Sequence, residues 1–212
     1  MKEMLTLNAN EVRVLGALIE KGITTPEYYP LSLNALVNAC NQKSSRDPVM
    51  ELSEPDVRTA LFELEQIALV RVMADSRVSK FEHLAYGKLG LGRPEIAMLG
   101  LLLLRGPQTP AELRIRAERL YTFDDTAAVT AVLERLASRE EPLVLQLARQ
   151  PGARESRWMH RLGGEVEGAA TFGGSVAVAN EIDSGLQGRV AELERLMQAL
   201  EERLRVLEDS RS

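Results

Sequence analysis

The densest group of side chains able to recognise another molecule runs from Asn38 to Asp47, where Asn41, Gln42, Lys43, Ser44 and Arg46 stand within six positions. Amides and guanidinium groups supply paired donors and acceptors, so this set could read base edges or hold phosphates. The competing reading is a solvated loop that caps a helix and leads into the turn at Pro48. A second set is purely cationic: Arg114, Arg116 and Arg119, followed by Arg149, Arg154, Arg157 and Arg161. If these surfaces are contiguous they make a patch able to hold a nucleic-acid backbone; the alternative is arginines scattered on solvated faces.

Nothing comparable points to catalysis. His83 and His160 are the only histidines, each two residues after an aromatic (Phe81, Trp158). At strand spacing each shares a face with that ring, which predicts packing at the core edge. One histidine per repeat cannot supply the three or four ligands of a metal site. Cys40 falls on the apolar face of a predicted helix and reads as an inert buried thiol. Gly87, Gly90 and Gly92 have the order G-x-x-G-x-G with no parallel βαβ unit around them, so they read as a linker between domains and not as a dinucleotide loop. No enzyme activity, metal or cofactor is expected.

The elements that must position these residues come in two copies. Glu11-Val12-Arg13-Val14-Leu15-Gly16-Ala17-Leu18-Ile19-Glu20-Lys21-Gly22 aligns with Glu95-Ile96-Ala97-Met98-Leu99-Gly100-Leu101-Leu102-Leu103-Leu104-Arg105-Gly106, every pair 84 apart, and Thr25-Pro26 aligns with Thr109-Pro110. Both stretches read as a helix stopped by glycine. A second helix is predicted from Ser32, with Leu33, Leu36, Val37 and Cys40 on one face, and from the capping box Thr109-Pro110-Ala111-Glu112. A third is predicted from Ser53-Glu54-Pro55-Asp56, burying Val57, Leu61 and Leu64, and from Asp124-Asp125, burying Val129, Leu133 and Leu136. The offset has fallen to 72, so copy one carries about twelve extra residues, expected around Asn41 to Leu52. Each copy closes with two extended runs, with turns expected at Ala74-Asp75-Ser76 and Gln150-Pro151-Gly152. Three helices and a hairpin is the winged-helix order, whose third helix enters the major groove in DNA-binding members.

Three motifs carry a resemblance: Leu7-Asn8-Ala9-Asn10-Glu11-Val12-Arg13-Val14-Leu15-Gly16, then Thr24-Thr25-Pro26-Glu27-Tyr28-Tyr29-Pro30-Leu31-Ser32-Leu33-Asn34-Ala35-Leu36, then Cys40-Asn41-Gln42-Lys43-Ser44-Ser45-Arg46-Asp47-Pro48-Val49-Met50. With them the chain resembles the YceH-like proteins of proteobacteria over about residues 4–162 and into the tail. The resemblance implies a tandem winged-helix fold and brings no functional residue with it. The expected class is therefore α+β, mainly α: a first winged-helix domain over 1–88, a second over 89–162, a flexible linker over 163–185 and a coiled-coil helix over 186–208.

Charge divides the functional readings. The chain has a net charge of −5, with 10 basic and 12 acidic residues in 1–88, 11 and 9 in 89–162, and 5 and 10 in 163–212. Only the middle segment is basic, a weak footprint for a dedicated nucleic-acid binder. The third helix of copy one presents Glu54, Asp56, Glu63 and Glu65 beside Arg58, and that of copy two opens on Asp124 and Asp125. Carboxylates there repel phosphates and suit helix N-termini. Two expectations stand: a DNA-associated, regulator-like protein using Asn41, Gln42, Lys43, Arg46, Arg114, Arg116, Arg119, Arg154 and Arg157, or an acidic winged-helix adaptor that binds another protein. No apolar run approaches the roughly 20 residues of a membrane span, and the single cysteine fits a reducing cytoplasm.

In the tail, Val190, Met197 and Leu204 take heptad position a and Leu193, Leu200 and Leu207 position d. Arg189 and Arg203 fall at g and Glu194, Glu201 and Glu208 at e. A parallel pair would set Arg189 against Glu194 and Arg203 against Glu208 of the partner, which predicts a homodimer, with folding back onto the chain's own domains as the alternative.

Overall fold

Local caps set the helices where the sequence places them. The structure, a computed structural model, describes residues 5–73, 78–149, 154–164 and 169–170. Helix α1 (Ala9–Thr24) begins at Asn8, whose side chain accepts from the backbone of Asn10 and Glu11. Strand β1 (Leu31–Ser32) leads into α2 (Leu33–Cys40), capped by Ser32. Helix α3 (Glu54–Gln66) starts from a capping box between Ser53 and Asp56. Strands β2 (Val70–Met73) and β3 (Lys80–His83) follow, and a short α4 (Ala85–Leu89) ends on Gly90 at φ 59°, a left-handed cap that glycine adopts without strain. The second half repeats the order: α5 (Arg93–Arg105), α6 (Pro110–Ala117) from the Thr109–Glu112 capping box, α7 (Thr126–Ala137) capped by Asp125, then β4 (Val144–Leu147), β5 (Trp158–His160) and β6 (Ala169–Ala170). The class is α+β and mainly helical.

The two halves agree in strand register. In the first sheet, ordered β1-β3-β2, Phe81 pairs with both Leu31 and Val72, and Val70 pairs with His83. In the second, ordered β5-β4-β6, Trp158 pairs with Gln146, Val144 pairs with His160, and an isolated bridge joins Gln108 to Trp158. Leu31 and Gln108, Phe81 and Trp158, and His83 and His160 are all 77 apart. The single bridge at Gln108 is thus the second half's counterpart of β1.

This register corrects the alignment in one place. Thr109 caps α6 as Ser32 caps α2, whereas Thr25-Pro26 opens a 3-10 turn, Pro26–Tyr28, without a side-chain cap. The offset therefore drops from 84 to 77 before Leu31 and from 77 to 72 before α3. About seven of the extra residues lie between α1 and β1 and only about five in the stretch Asn41 to Leu52. The linker expected over 163–185 also holds structure, since Ala169–Ala170 pair with β4 through Gln146 and Leu147. The two expected hairpin turns and the heptads with Val190, Leu193, Met197, Leu200, Leu204 and Leu207 lie outside the described residues.

The stretches expected as domains 1–88 and 89–162 pack into one compact unit, Met1–Phe172. Helices α1 and α5 are central to that packing: Val14, Leu15, Ala17, Leu18 and Ile19 are sealed, as are Ile96, Met98, Leu99 and Leu102. Gly16 and Gly100, 84 apart, make the close approach. A Cβ on Gly100 would stand 2.8 Å from Ile19 Cγ2, and one on Gly16 would stand 3.0 Å from Leu104 Cδ2 and 3.1 Å from Leu103 Cβ. Ile19 and Leu103 are themselves repeat counterparts, so each helix offers a glycine to the other's equivalent side chain. Gly100→Val is expected to lower stability by about 2–3 kcal/mol through overpacking, read as a lower urea midpoint; an unchanged midpoint would show that the contact can open freely.

Candidate functional site

The polar stretch after α2 folds inward before it faces solvent. Asn41 donates from Nδ2 to the Leu52 carbonyl and accepts at Oδ1 from the Leu52 amide, both at 2.8 Å, closing the loop at its base. Arg46 is buried: its Nε donates to the Ala39 carbonyl at 3.1 Å, Nη1 to the Ser45 carbonyl at 2.9 Å, and Nη2 to Gln42 Oε1 at 3.1 Å. The same guanidinium forks onto Glu20 of α1 at 2.6 and 3.2 Å. Arg13 of α1, also buried, donates to the carbonyls of Cys40 and Pro48. Finally the Asp47 amide donates to the Leu104 carbonyl at 2.9 Å. The loop thereby closes against α5 of the second half. Asn41 and Arg46, expected to read a ligand, spend their donors on this architecture.

What the loop leaves outward forms one wall of a cleft of about 430 Å³ between the halves. Gln42, Lys43, Ser44 and Ser45 come from the loop, and Glu20, Lys21, Thr24 and Thr25 from the end of α1. Leu101, Leu104 and Arg105 come from α5, and Arg116, Arg119 and Leu120 from α6 and the turn after it. Five cations thus meet one lining carboxylate, Glu20, which is paired with Arg46 at 2.6 Å and with Lys21 at 3.7 Å. Among the described residues, the side chains of Lys43, Arg105 and Arg119 make no hydrogen bond or ion pair. Arg116 is held by Gln108 Oε1 at 2.7 Å and lies 3.7 Å from Glu112. Burial, and then the neighbouring Arg116 guanidinium, push the Arg105 pKa below its usual value. Such a cluster is electrostatically costly when empty, and an anion between the cations relieves the cost.

Of the nine residues expected to touch nucleic acid, the fold gathers Gln42, Lys43, Arg116 and Arg119 at this cleft. The rest lie elsewhere. Arg114 is exposed and donates to the Asp124 carbonyl at 3.2 Å, beside a separate hollow with Ile115 and Glu118. Arg157 is tied to the Pro107 carbonyl and to Glu112 at 3.0 Å, and Arg154 is exposed away from the cleft. The sequence reading passed over Lys21 and Arg105. Their signal was present, because they are aligned partners 84 apart, each followed by a glycine; only Gly106 ends its helix as expected, whereas α1 runs through Gly22 to Thr24.

The remaining reactive groups are enclosed. Cys40 is fully buried, and its thiol is pushed up to about 12 by burial, with Arg13 and Arg46 pulling the other way. Burial lowers both His83 and His160 to about 4, so both imidazoles are neutral near pH 7. Among the described residues no group of three or more His, Cys, Asp or Glu side chains could hold a metal ion, and no helix is long and apolar enough to cross a membrane. The cleft can hold and orient an anion.

Residues 7–153 match the family described as "Protein of unknown function, DUF480". Among curated relatives, a UPF0502 protein of Pelobacter propionicus is 51% identical over 206 residues, spanning 96% of this chain and 94% of the relative. A UPF0502 protein of Koribacter versatilis is 51% identical over 191 residues, spanning 90% and 88%. The UPF0502 protein YceH of Escherichia fergusonii is 48% identical over 206 residues, spanning 93% and 94%.

Proposed function

The chain belongs to the DUF480 family, shared with these UPF0502 proteins, and for this member we propose a non-enzymatic, DNA-associated function. Two winged-helix units hold a phosphate backbone at the cationic cleft where they meet. The observation that carries this reading is the convergence of cations from both halves, three of them without an internal partner among the described residues. The repeated helix-helix-helix-hairpin order and the common strand register support the winged-helix assignment. Backbone contacts release counterions, so affinity should fall log-linearly with salt.

The measurement is anisotropy of a labelled random duplex titrated with the full chain between 50 and 200 mM salt. Lys43→Glu combined with Arg119→Glu is expected to weaken binding at least tenfold and to flatten the salt slope by about two. Both side chains are exposed, so the fold should be unaffected. Absence of binding at the lowest salt would reject the reading.

A second reading has its own observation. Phe62 on α3 is 57% exposed between Leu61 and Glu63, with Glu65 nearby, at the helix that DNA-binding winged helices present to the groove. An apolar anchor among carboxylates suits a protein partner, and Phe62→Ala would then abolish partner binding while DNA binding is absent from the start. We also propose that the heptads over 186–208 pair two chains; a full-length monomer at sedimentation equilibrium would end that idea.

A further inference from the structure

We propose that the cleft between the two halves is a site for a compact, multiply charged phosphate ester of about nucleotide size; this rests on reading the cleft as an anion site. Its volume of about 430 Å³ lies within the range of small-molecule sites. Four elements line it, the end of α1, the α5 C-terminal turn, α6 with the turn after it and the loop after α2, so a compact charged group can be met from several directions. The cation count points the same way. A backbone phosphodiester brings one negative charge, while a phosphomonoester brings about 1.5 to 2 near pH 7. With Lys21 and Arg116 each already 3.7 Å from a carboxylate, Lys43, Arg105 and Arg119 remain around one such volume, which suits the larger charge.

The walls are set before any ligand arrives. Arg46 holds Glu20 at 2.6 Å and so offsets much of the charge of the cleft's only lining carboxylate, which also lies 3.7 Å from Lys21. The Asp47 amide fastens the loop that carries Lys43 to the Leu104 carbonyl, so that the loop's position need not be ordered at the moment of binding. Leu101, Leu104 and Leu120 give the cleft an apolar lining on which the body of an ester can rest. The ligand's source is either a free phosphate ester or the phosphorylated end of a DNA strand, since both present the same dianionic group.

The test is calorimetric titration of the full chain at low salt with pyrophosphate and with ATP as probes, and anisotropy with one duplex bearing either a 5′-phosphate or a 5′-hydroxyl. At least one of the two free probes, or the 5′-phosphate duplex in preference to its 5′-hydroxyl twin, is expected to bind. That binding should weaken at least tenfold in Lys43→Glu and in Arg105→Gln but not in Lys80→Glu, which lies on β3 away from the cleft. Binding of the free probes assigns a free ester, and a preference for the 5′-phosphate with no free-probe binding assigns a strand end. If neither probe binds and the two duplexes bind alike, the inference fails while the DNA reading survives. If the probes bind and no duplex does, the DNA reading fails and the inference stands. Probe binding unchanged in both cleft variants would also overturn it.

Discussion

Arg46→Ala is expected to cost about 3–5 kcal/mol, the usual loss when one partner of a buried ion pair is removed, and to lower the melting temperature by about 10 °C in a chain of this size. The Arg46 side chain is wholly buried and that of Glu20 only 14% exposed, so the loss leaves a carboxylate with little water to replace the guanidinium. It also leaves the Ala39 carbonyl without the two donors at 2.8 and 3.1 Å that it now accepts. The residue reaches three chain segments at once: the end of α2, its own loop and α1. Arg46→Lys keeps the charge but cannot reproduce the forked contact with Glu20, so it should fall between wild type and Ala. Differential scanning calorimetry of the three proteins checks the order. Equal stability of Ala and wild type would mean that the loop is not fastened by this residue. Because Glu20 without Arg46 would keep only Lys21, 3.7 Å away, and bring more negative charge to the cleft, Arg46→Ala should also weaken anion binding without the side chain ever touching the ligand.

That result would also mark where sequence reading stopped. The helices were legible because their signals are local. Ser53 with Asp56, Thr109 with Glu112, and the apolar spacing of Val57, Leu61 and Leu64 each lie within one or two turns, and all appear as expected. The repeat was legible for the same reason. The role of the loop after α2 was not, because polarity says that a side chain needs a partner and does not say which one. Arg46 finds Glu20 at a separation of 26 residues, and Asp47 finds Leu104 across the halves. Both distances are properties of the packed chain. The Gly16 and Gly100 pair was visible in the alignment, but a glycine inside a helix reveals a close approach only once the opposing side chain is known. The cationic cleft had an intermediate status. Its arginines and lysines could be named from the sequence, yet their convergence depends on how α1 and α5 cross.

Lowering the pH from 7 to 4.5 is expected to remove about 5 kcal/mol of stability through two histidines, most of it above about pH 5, below which the carboxylates begin to titrate. His83 and His160 fall from an ordinary value of 6.5 to about 4 because burial opposes the charged imidazolium; beside His83, the Glu82 carboxylate partly counters this. Well above pH 6.5 neither folded nor unfolded chain carries these protons, and stability is at its full value. Between 6.5 and about 4 the unfolded chain takes them up and the folded chain does not, so stability falls with pH. Below about 4 both states are protonated and the loss levels off. Each histidine contributes about 3 kcal/mol over that window, and the two together approach the 5–15 kcal/mol typical of a whole domain. Glu112, where burial opposes but the Thr109 amide bond and Arg157 together lower the pKa from 4.5, adds its own loss from about pH 5 downward. Urea unfolding followed from pH 8 to 4.5 should therefore give a plateau above pH 7 and then a slope approaching two protons. His160→Gln, which cannot titrate, should reduce that slope to about one, even if it lowers the plateau by leaving a polar group in the site that His160 fills at 4% exposure. A stability profile that stays level down to pH 5 would mean that the imidazoles reach water in the folded chain.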